Sequence, residues 1–410
     1  MAGTGSRRER RLAAERPKLL ALVLAGGEGG RLEPLTAERA KPALPFAGVY
    51  RLIDFPLSNC HHSGVSDVWI FQQYEPYSLS KHVSNGRPWD LDRTHGGLRV
   101  VHPYRGDAES GWYEGNADAI HRHREEIEEF GPDLILVLSA DHVYKLDYSA
   151  VVSSHRESKA GVTVVTARVP PEEAGRFGCV KVDADDRIAE FEYKPDEPET
   201  DVVTAEVFLY DARLLLDTLA ELAERDGELT DFGHRLLPRL VDADAAYAFE
   251  LEGYWKDVGT IDSYWQAHME LLDGAPPIDL DDPGWPILTL APHRPPAHVA
   301  GAARVEDSLL SAGCSVRGAV VRSVLAPGVL VEAGSTVVDS VVLEDAVIGR
   351  DALVERAIVD TQAVLHEGAV VGGEGEITVV GRGLTIESER TVEPGARLEP
   401  SEAPAPKATT

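Results

Sequence analysis

"LALVLAGGEGGRLEPLT", Leu20 to Thr36, is the stretch whose reading decides the fold. An apolar run ends on Ala25, four glycines and one acid follow, and Arg31 comes next. That pattern predicts a buried strand, then a loop almost without side chains, then a helix start. Two common phosphate loops are excluded by their letters. A P-loop requires G-x-x-x-x-G-K-[ST], but Gly30 is followed by Arg31 and Leu32. The dinucleotide fingerprint G-x-G-x-x-G fails because position 32 is leucine. What remains is a backbone cradle. Glycines let main-chain N–H groups approach an anion, and a helix start adds its positive end. Arg31 can fork onto phosphate oxygens. Shortly after, "ERAKPALPF" offers Lys41, held beside a turn by Pro42.

The strand belongs to a chain of 410 residues, long enough for two or three domains. With 40 basic and 69 acidic residues the formal charge is −29. Such a surface argues against nucleic acid and anionic membranes as partners, while leaving room for a local cationic pocket. Cys60, Cys179 and Cys314 are far apart and form no C-x-x-C pair, which speaks against disulfides or zinc and for a reducing, cytoplasmic compartment. The basic stretch before Leu19 resembles the start of a signal peptide. Its apolar run is short and acids sit among the basic residues, so a buried strand explains it better. No other apolar run approaches the roughly 20 residues that span a membrane.

Residues 1–16 read as a flexible charged arm, and 17–275 as one α/β domain. Leu20–Leu24, Val68–Phe71, Leu134–Leu138, Val162–Ala167 and Val207–Tyr210 are the strand candidates. Helical patterns lie between several of them, such as "NADAIHRHREEIEEF", whose glutamates form a solvent face. This alternation predicts a Rossmann-like, largely parallel sheet covered on both faces, with ligands bound beyond the carboxyl ends of its strands. Residues 276–300, rich in proline and aspartate, read as an ordered linker.

From 301 to 385 the texture changes. Aliphatic residues recur every six positions: Leu325, Val331, Val337, Leu343, and then Val347, Leu353, Val359, Leu365. This is the hexapeptide pattern of a left-handed parallel β-helix; a β-sandwich would alternate with period two. Some hexapeptide coils carry acyltransferases, but His366 is the only histidine in this one. Residues 386–410 are expected to be a largely disordered tail.

Three further stretches carry chemistry. "LILVLSADHVYKLDY" ends an apolar strand with Asp141, and an acid at that edge suits a divalent cation. "EGYWKDVGTIDSYW" supplies Asp257 as a second carboxylate, and "FEYKPDEP" places Lys194 before a proline. Two acids, one metal ion and three cations would suit phosphoryl or nucleotidyl transfer.

"ALVLAGGEGGRLEPLT", "ERAKPALPFAGVYRLIDFPLSNC", "GWYEGNADAI", "SADHVYKLDY", "FGCVKVDADDRIAEFEYKP", "DFGHRLLPRL" and "GYWKDVGTIDSYWQAHMELL" occur in an order that resembles the bacterial ADP-glucose pyrophosphorylase (glucose-1-phosphate adenylyltransferase) family, over about residues 18–375. The resemblance implies a homotetrameric enzyme that makes ADP-glucose and pyrophosphate from ATP and glucose 1-phosphate for glycogen synthesis, with Mg²⁺ as cofactor. It implies that Ala25, Gly26, Gly27 and Gly29 line the nucleotide, with Gln73, Gly115, Asn116, Ala117 and Asp118 around adenine and ribose. Arg31 and Lys41 would take the nucleotide phosphates, Asp141 and Asp257 the metal, and Lys194 the sugar phosphate. Tyr113, Tyr193, Thr204, Glu206, Asp231, Phe232 and Trp255 would surround the sugar.

Three departures from the family pattern cluster on the sugar side. Tyr193-Lys194-Pro195 replaces "EKP", Thr204-Ala205-Glu206 replaces "SMG", and His234 stands for the lysine of "DFGK". A tyrosine cannot accept from a diol as a carboxylate does. Another sugar 1-phosphate, for instance an amino sugar, or a weakly catalytic regulatory paralogue are the competing readings. Arg39 and Arg51 are candidate effector residues. In some enteric members a lysine precedes "RAKP" and contacts a sugar-bisphosphate activator; Glu38 stands there, so weak or no activation is expected.

Overall fold

The computed structural model describes residues 17–400 apart from 28, 104–112, 227–228 and 230. The expected arm before residue 17 and the last part of the expected tail, 401–410, lie outside the described residues.

The stretch from Leu20 does form a strand, β1 (Leu19–Ala25), at the heart of a nine-stranded sheet. Its companions are β2 (Asp67–Gln72), β3 (Gly97–Val101), β4 (Leu134–Ser139), β5 (Val162–Arg168), β6 (Gly178–Val182), β7 (Ile188–Tyr193), β8 (Val202–Asp211) and β9 (Ala246–Glu250). The main path runs β7-β6-β8-β4-β1-β2-β3, with β5 pairing both β8 and β9. β1 lies between β2 and β4, parallel to both. It shows no polar alternation because both faces are covered. Leu20 and Leu22 enter one core with Ile135, Val137 and Phe208. Ala21, Val23 and Ala25 enter the other with Val68, Ile70 and Leu138. Burying each large aliphatic side chain stabilises the sheet by about 1.5–3 kcal/mol.

Half of the sheet departs from the parallel pattern. β8 runs antiparallel to β4, β5 and β6, and β7 antiparallel to β6. The reversal matters for the site: it brings the residues just before Val207 to the same edge as the carboxyl end of β4.

Two local expectations are also corrected. No α-helix follows the glycine loop; a single 3₁₀ turn spans Gly30–Leu32. Glu33 leaves it in an extended conformation (φ −57°, ψ 137°), as the residue before a proline tends to. The stretch from Asn116 to Phe130 makes two short helices, Asn116–Arg122 and Arg124–Phe130, broken at buried His123.

The linker is ordered. Its Leu288 accepts from Trp89 Nε1 (3.1 Å), Leu288 N–H donates to Ser58 Oγ (2.8 Å), and Trp285 Nε1 donates to Asn59 Oδ1 (3.0 Å). It is thereby strapped to the helix Asp54–His62.

Beyond it, three six-stranded parallel sheets form the β-helix. Leu330 pairs with Val347 and Val347 with Val364, so these coils repeat every 17 residues, one short of three hexapeptides. That one-residue deficit corrects the simple six-residue series. Leu325, Val331, Val337, Val342, Ile348, Val354, Val359 and Leu365 fill the interior. Val347 and Leu353 point away from it, and Leu343 packs against the α/β domain instead. The coil also runs further than residue 385. Thr391–Val392 and Arg397–Leu398 pair with the preceding turn, with Ile386 and Val392 buried. The disordered tail expected from residue 386 is therefore coil up to Leu398; its polar composition masks single inward side chains.

One side of the coil packs on the α/β domain. Val341, Leu343, Ile358, Ile377 and Val379 share a core with Leu32, Leu35, Phe46, Tyr264 and Ala267. Trp265 Nε1 donates to Asp339 O at 2.7 Å, and the Arg356 guanidinium lies over the Trp265 ring. Among the described residues no helix is long and apolar enough to cross a membrane.

Candidate active site

The register of the sheet assembles the site. Ala25 faces Gln72 and Leu24 faces Ser139, so the glycine loop, Gln73 and Asp141 leave the sheet side by side. Ala25 is buried beneath the loop. Gly26 and Gly27 line the cavity, and a Cβ on Gly27 would meet nothing. Gly29 has φ +77°, and a Cβ there would approach Thr36 Cγ2 to 3.0 Å. Thr36 Oγ1 donates to Gly29 O at 2.9 Å and closes the loop.

Charge concentrates at the centre. Lys41 Nζ lies 2.5 Å from Asp141 Oδ2 and 3.6 Å from Asp257 Oδ1. Burial alone would lower the Lys41 pKa; Asp141 and Asp257 reverse this and raise it. Asp141 is the mirror case. Burial pushes its carboxyl up, and Lys41, His142 and Ser139 together hold it well below the usual carboxylate range. Asp257 accepts from Arg176 Nη2 at 2.8 Å. His142 Nε2 lies 3.7 Å from Asp141 Oδ1 and 3.8 Å from Asp257 Oδ1. Arg31 reaches the same centre: a Cβ on Gly259 would lie 3.2 Å from its Nη2 and 2.8 Å from Asp257 Oδ1.

The two acids converge on one cation, Lys41, so their oxygens face a common point. Among the described residues no group of three or more His, Cys, Asp or Glu could hold a metal ion. Two carboxylates are nevertheless what Mg²⁺ uses when phosphates and water complete its shell, so the donor set fits that ion.

On one side of this centre lies a cavity lined by Gly26, Gly27, Gln73, Tyr113, Gly115 and Asn116. Tyr113 N–H donates to Gln73 Oε1 (2.5 Å), and its hydroxyl bonds His123 Nε2 (2.8 Å). Tyr113, expected near the sugar, therefore stands on the glycine-loop side. Two residues expected at the nucleotide do not line the cavity. Ala117 is buried in the core. Asp118 accepts from Glu114 N–H (2.9 Å) and Arg122 Nε (2.9 Å), and so holds the turn that positions Gly115 and Asn116.

On the other side stand Tyr193, Lys194, Glu206, Asp231 and Phe232, with Thr204 lining a small recess behind them. Lys194 sits at φ +50°, its N–H bonded to Phe177 O and its ammonium 4.7 Å from the Tyr193 ring centroid. Tyr193 OH donates to Asp231 Oδ2 at 3.1 Å. Its ring packs on Gly233, where a Cβ would overlap it, and meets the His234 ring edge-on. Trp255 does not join this wall. It braces from behind: its Nε1 donates to Ala205 O (3.3 Å), and its ring meets those of His142 and Phe177.

Arg39 and Arg51, the candidate effector residues, are both tied to the β-helix. Arg39 Nη2 lies 2.6 Å from Asp360 Oδ1 in a buried pair, and Arg51 Nη2 lies 2.5 Å from Glu344 Oε1. Glu38 lies 3.8 Å from Arg382.

Sequence reasoning missed His142 and Arg176. His142 directly follows Asp141, and Arg176 directly precedes the motif that starts at Phe177. A basic residue beside Asp141 and another just before Phe177 were the available signals.

The nucleotidyl transferase family model matches residues 20–274, and that of the GlmU-like C-terminal hexapeptide matches 295–380. The chain is 43% identical to a glucose-1-phosphate adenylyltransferase of Clostridium novyi over 92% of this chain and 98% of that protein. It is 41% identical to one of Thermosipho africanus over 78% of this chain and 77% of that protein. For one of Bacillus thuringiensis the identity is 42%, over 80% and 88%. An α/β sheet domain followed by a hexapeptide coil agrees with the spans of these matches, and the chain belongs to the glucose-1-phosphate adenylyltransferase family of nucleotidyltransferases.

Proposed function

We propose that the chain joins ATP and glucose 1-phosphate into ADP-glucose and pyrophosphate, in the service of α-glucan synthesis. The observation that carries this reading is Lys41 between Asp141 and Asp257, with Arg31 and Lys194 lining the same cavity.

A phosphate oxygen of the sugar phosphate attacks the α-phosphorus of ATP. The new P–O bond forms as the bond to the bridging β-phosphate oxygen breaks, and pyrophosphate leaves. The nucleophile is already anionic at neutral pH, so no general base is required. Catalysis is then positioning and charge stabilisation. The glycine loop and Arg31 orient the triphosphate. Lys194 takes the phosphate of the sugar, with its ammonium kept in place over the Tyr193 ring. Lys41 offsets charge that grows at the α-phosphate, and Arg176 keeps Asp257 aligned. Mg²⁺, held by Asp141 and Asp257, would supply further charge neutralisation when bound.

Three buried free cysteines support a reducing, cytoplasmic setting. The family resemblance supports a homotetramer. Pyrophosphate release, measured with a panel of nucleoside triphosphates crossed with sugar 1-phosphates, tests the reading. Release is expected with ATP and glucose 1-phosphate; silence with every pair would instead favour a regulatory paralogue.

A further inference from the structure

Glu206 stands out at the sugar end for two independent reasons. The first is its backbone. In β8 the register with β5 jumps, Thr204 facing Thr166 and Phe208 facing Val164, and Glu206 occupies the bulge with φ +57°. A left-handed conformation costs a residue with a Cβ about 1–2 kcal/mol, and glycine is the residue that adopts it freely. The second is its side chain. The carboxylate lines the cavity with Lys194, Asn116 and Asp231, yet it makes no hydrogen bond or ion pair with another described residue. Burial raises its pKa first, and Asp141 and Asp231 add to that against His142 and Lys194. A strained residue whose carboxylate no other described residue engages, aimed into a cavity, is the kind of outlier that gathers where a ligand is held.

The neighbours limit what the ligand can be. Tyr193 OH donates to Asp231 Oδ2, so of the two carboxylates at this end Glu206 is the one that no described residue engages. We propose that Glu206 selects the sugar: its carboxylate accepts hydrogen bonds from polar hydrogens on the ring of the sugar 1-phosphate, whether hydroxyls or an ammonium group. The inference rests on the nucleotidyl-transfer reading above and names the residue that reads its second substrate.

The test uses the full chain as wild type, Glu206→Gln and Glu206→Gly, with ATP, Mg²⁺ and either glucose 1-phosphate or glucosamine 1-phosphate. Pyrophosphate release and thermal unfolding are recorded for each. Glu206→Gln should lower kcat/KM for the preferred sugar phosphate by about 10–100-fold, the worth of hydrogen bonds to a charged group. The loss should appear in the KM of the sugar phosphate, with the KM for ATP within about twofold of wild type. Glu206→Gly should show a similar loss while unfolding at or above the wild-type temperature, since glycine relieves the strain. Wild-type preference for glucose 1-phosphate assigns hydroxyls as the donors; preference for glucosamine 1-phosphate assigns the ammonium. An active wild type with both variants within about twofold of it, or a loss shared equally by ATP and sugar phosphate, overturns this inference alone. A wild type silent with both sugar phosphates overturns the nucleotidyl-transfer reading and this inference with it.

Discussion

At one end of the cavity Lys41, Asp141, Asp257 and Arg176 neutralise one another across contacts of 2.5–3.6 Å. At the other, Tyr193 and Asp231 share one hydrogen bond while Glu206 has no partner among the described residues. The phosphate end is held by its own charges, which meet beyond the carboxyl ends of the parallel strands β1 and β4. The sugar end hangs on a bulge in an antiparallel strand and on the start of the helix Phe232–Asp242. On the proposed reading, chemistry common to every sugar nucleotide falls to the part that its own charges hold, and the choice of sugar to the part that the ligand completes.

Substitutions can test this contrast. Asp141→Asn should lower kcat by at least about a hundredfold, the scale of losing one strong electrostatic contact; near-normal turnover would remove Asp141 from the reacting centre. Lys194→Gln should act on the sugar phosphate alone. Its KM is expected to rise about 10–100-fold while the KM for ATP stays within about twofold, and a matching rise for ATP would erase the division between the two ends.

Acid offers a check remote from both ends. His268 is fully buried, with Nδ1 against Tyr264 O (2.8 Å) and Nε2 accepting from Ala47 N–H (3.1 Å). Burial lowers its pKa from 6.5 to about 4. The unfolded chain therefore takes up a proton below about pH 6.5 that the folded chain refuses until about pH 4. The stabilisation is whole above pH 6.5 and is lost as the pH falls through that window, by about 2 kcal/mol between pH 7 and pH 5. Urea unfolding of wild type and His268→Gln at the two pH values isolates it: the variant should lose about 2 kcal/mol less, and the drop that remains belongs to groups such as His121, His123 and His155, whose pKa values burial also lowers. Activity lost over the same range without loss of stability would point to the site instead.

A smaller effect is expected from Gly29→Ala. The left-handed backbone and the contact with Thr36 should cost about 1 kcal/mol in urea unfolding, and the KM for ATP should rise. The smallest effect concerns fructose 1,6-bisphosphate. With Glu38 near Arg382 and both candidate arginines paired to acids of the coil, it should change the rate by less than about twofold; strong activation would show that those pairs open.

What could be read from the sequence divides along the same line. The parallel strands, the glycine loop, Lys41, Asp141 and Asp257 sit in short local motifs where apolar runs meet charged residues. The sugar end could not be read that way. The position of Glu206 depends on how β8 pairs with β5, some 40 residues earlier in the chain. The role of Trp255 as a brace depends on the meeting of strands far apart in sequence. Asp118 looked like a ligand because an acid in a helix's first turn can serve either the turn or a guest. Arg39 and Arg51 looked available to an effector because nothing local announces Asp360 or Glu344, roughly 300 residues away. In the coil, a deficit of one residue per turn moved the interior from Val347 to Ile348, which a strict six-residue count cannot register.

The buried pair of Arg39 with Asp360 has a mechanical consequence. Arg39 is anchored in the coil and Lys41 in the reacting centre, and two residues of backbone, at most about 7 Å, join them. That leaves almost no slack. The placement of the coil against the sheet is therefore a boundary condition on where the Lys41 ammonium can stand, and the C-terminal domain is the wall against which this loop is set.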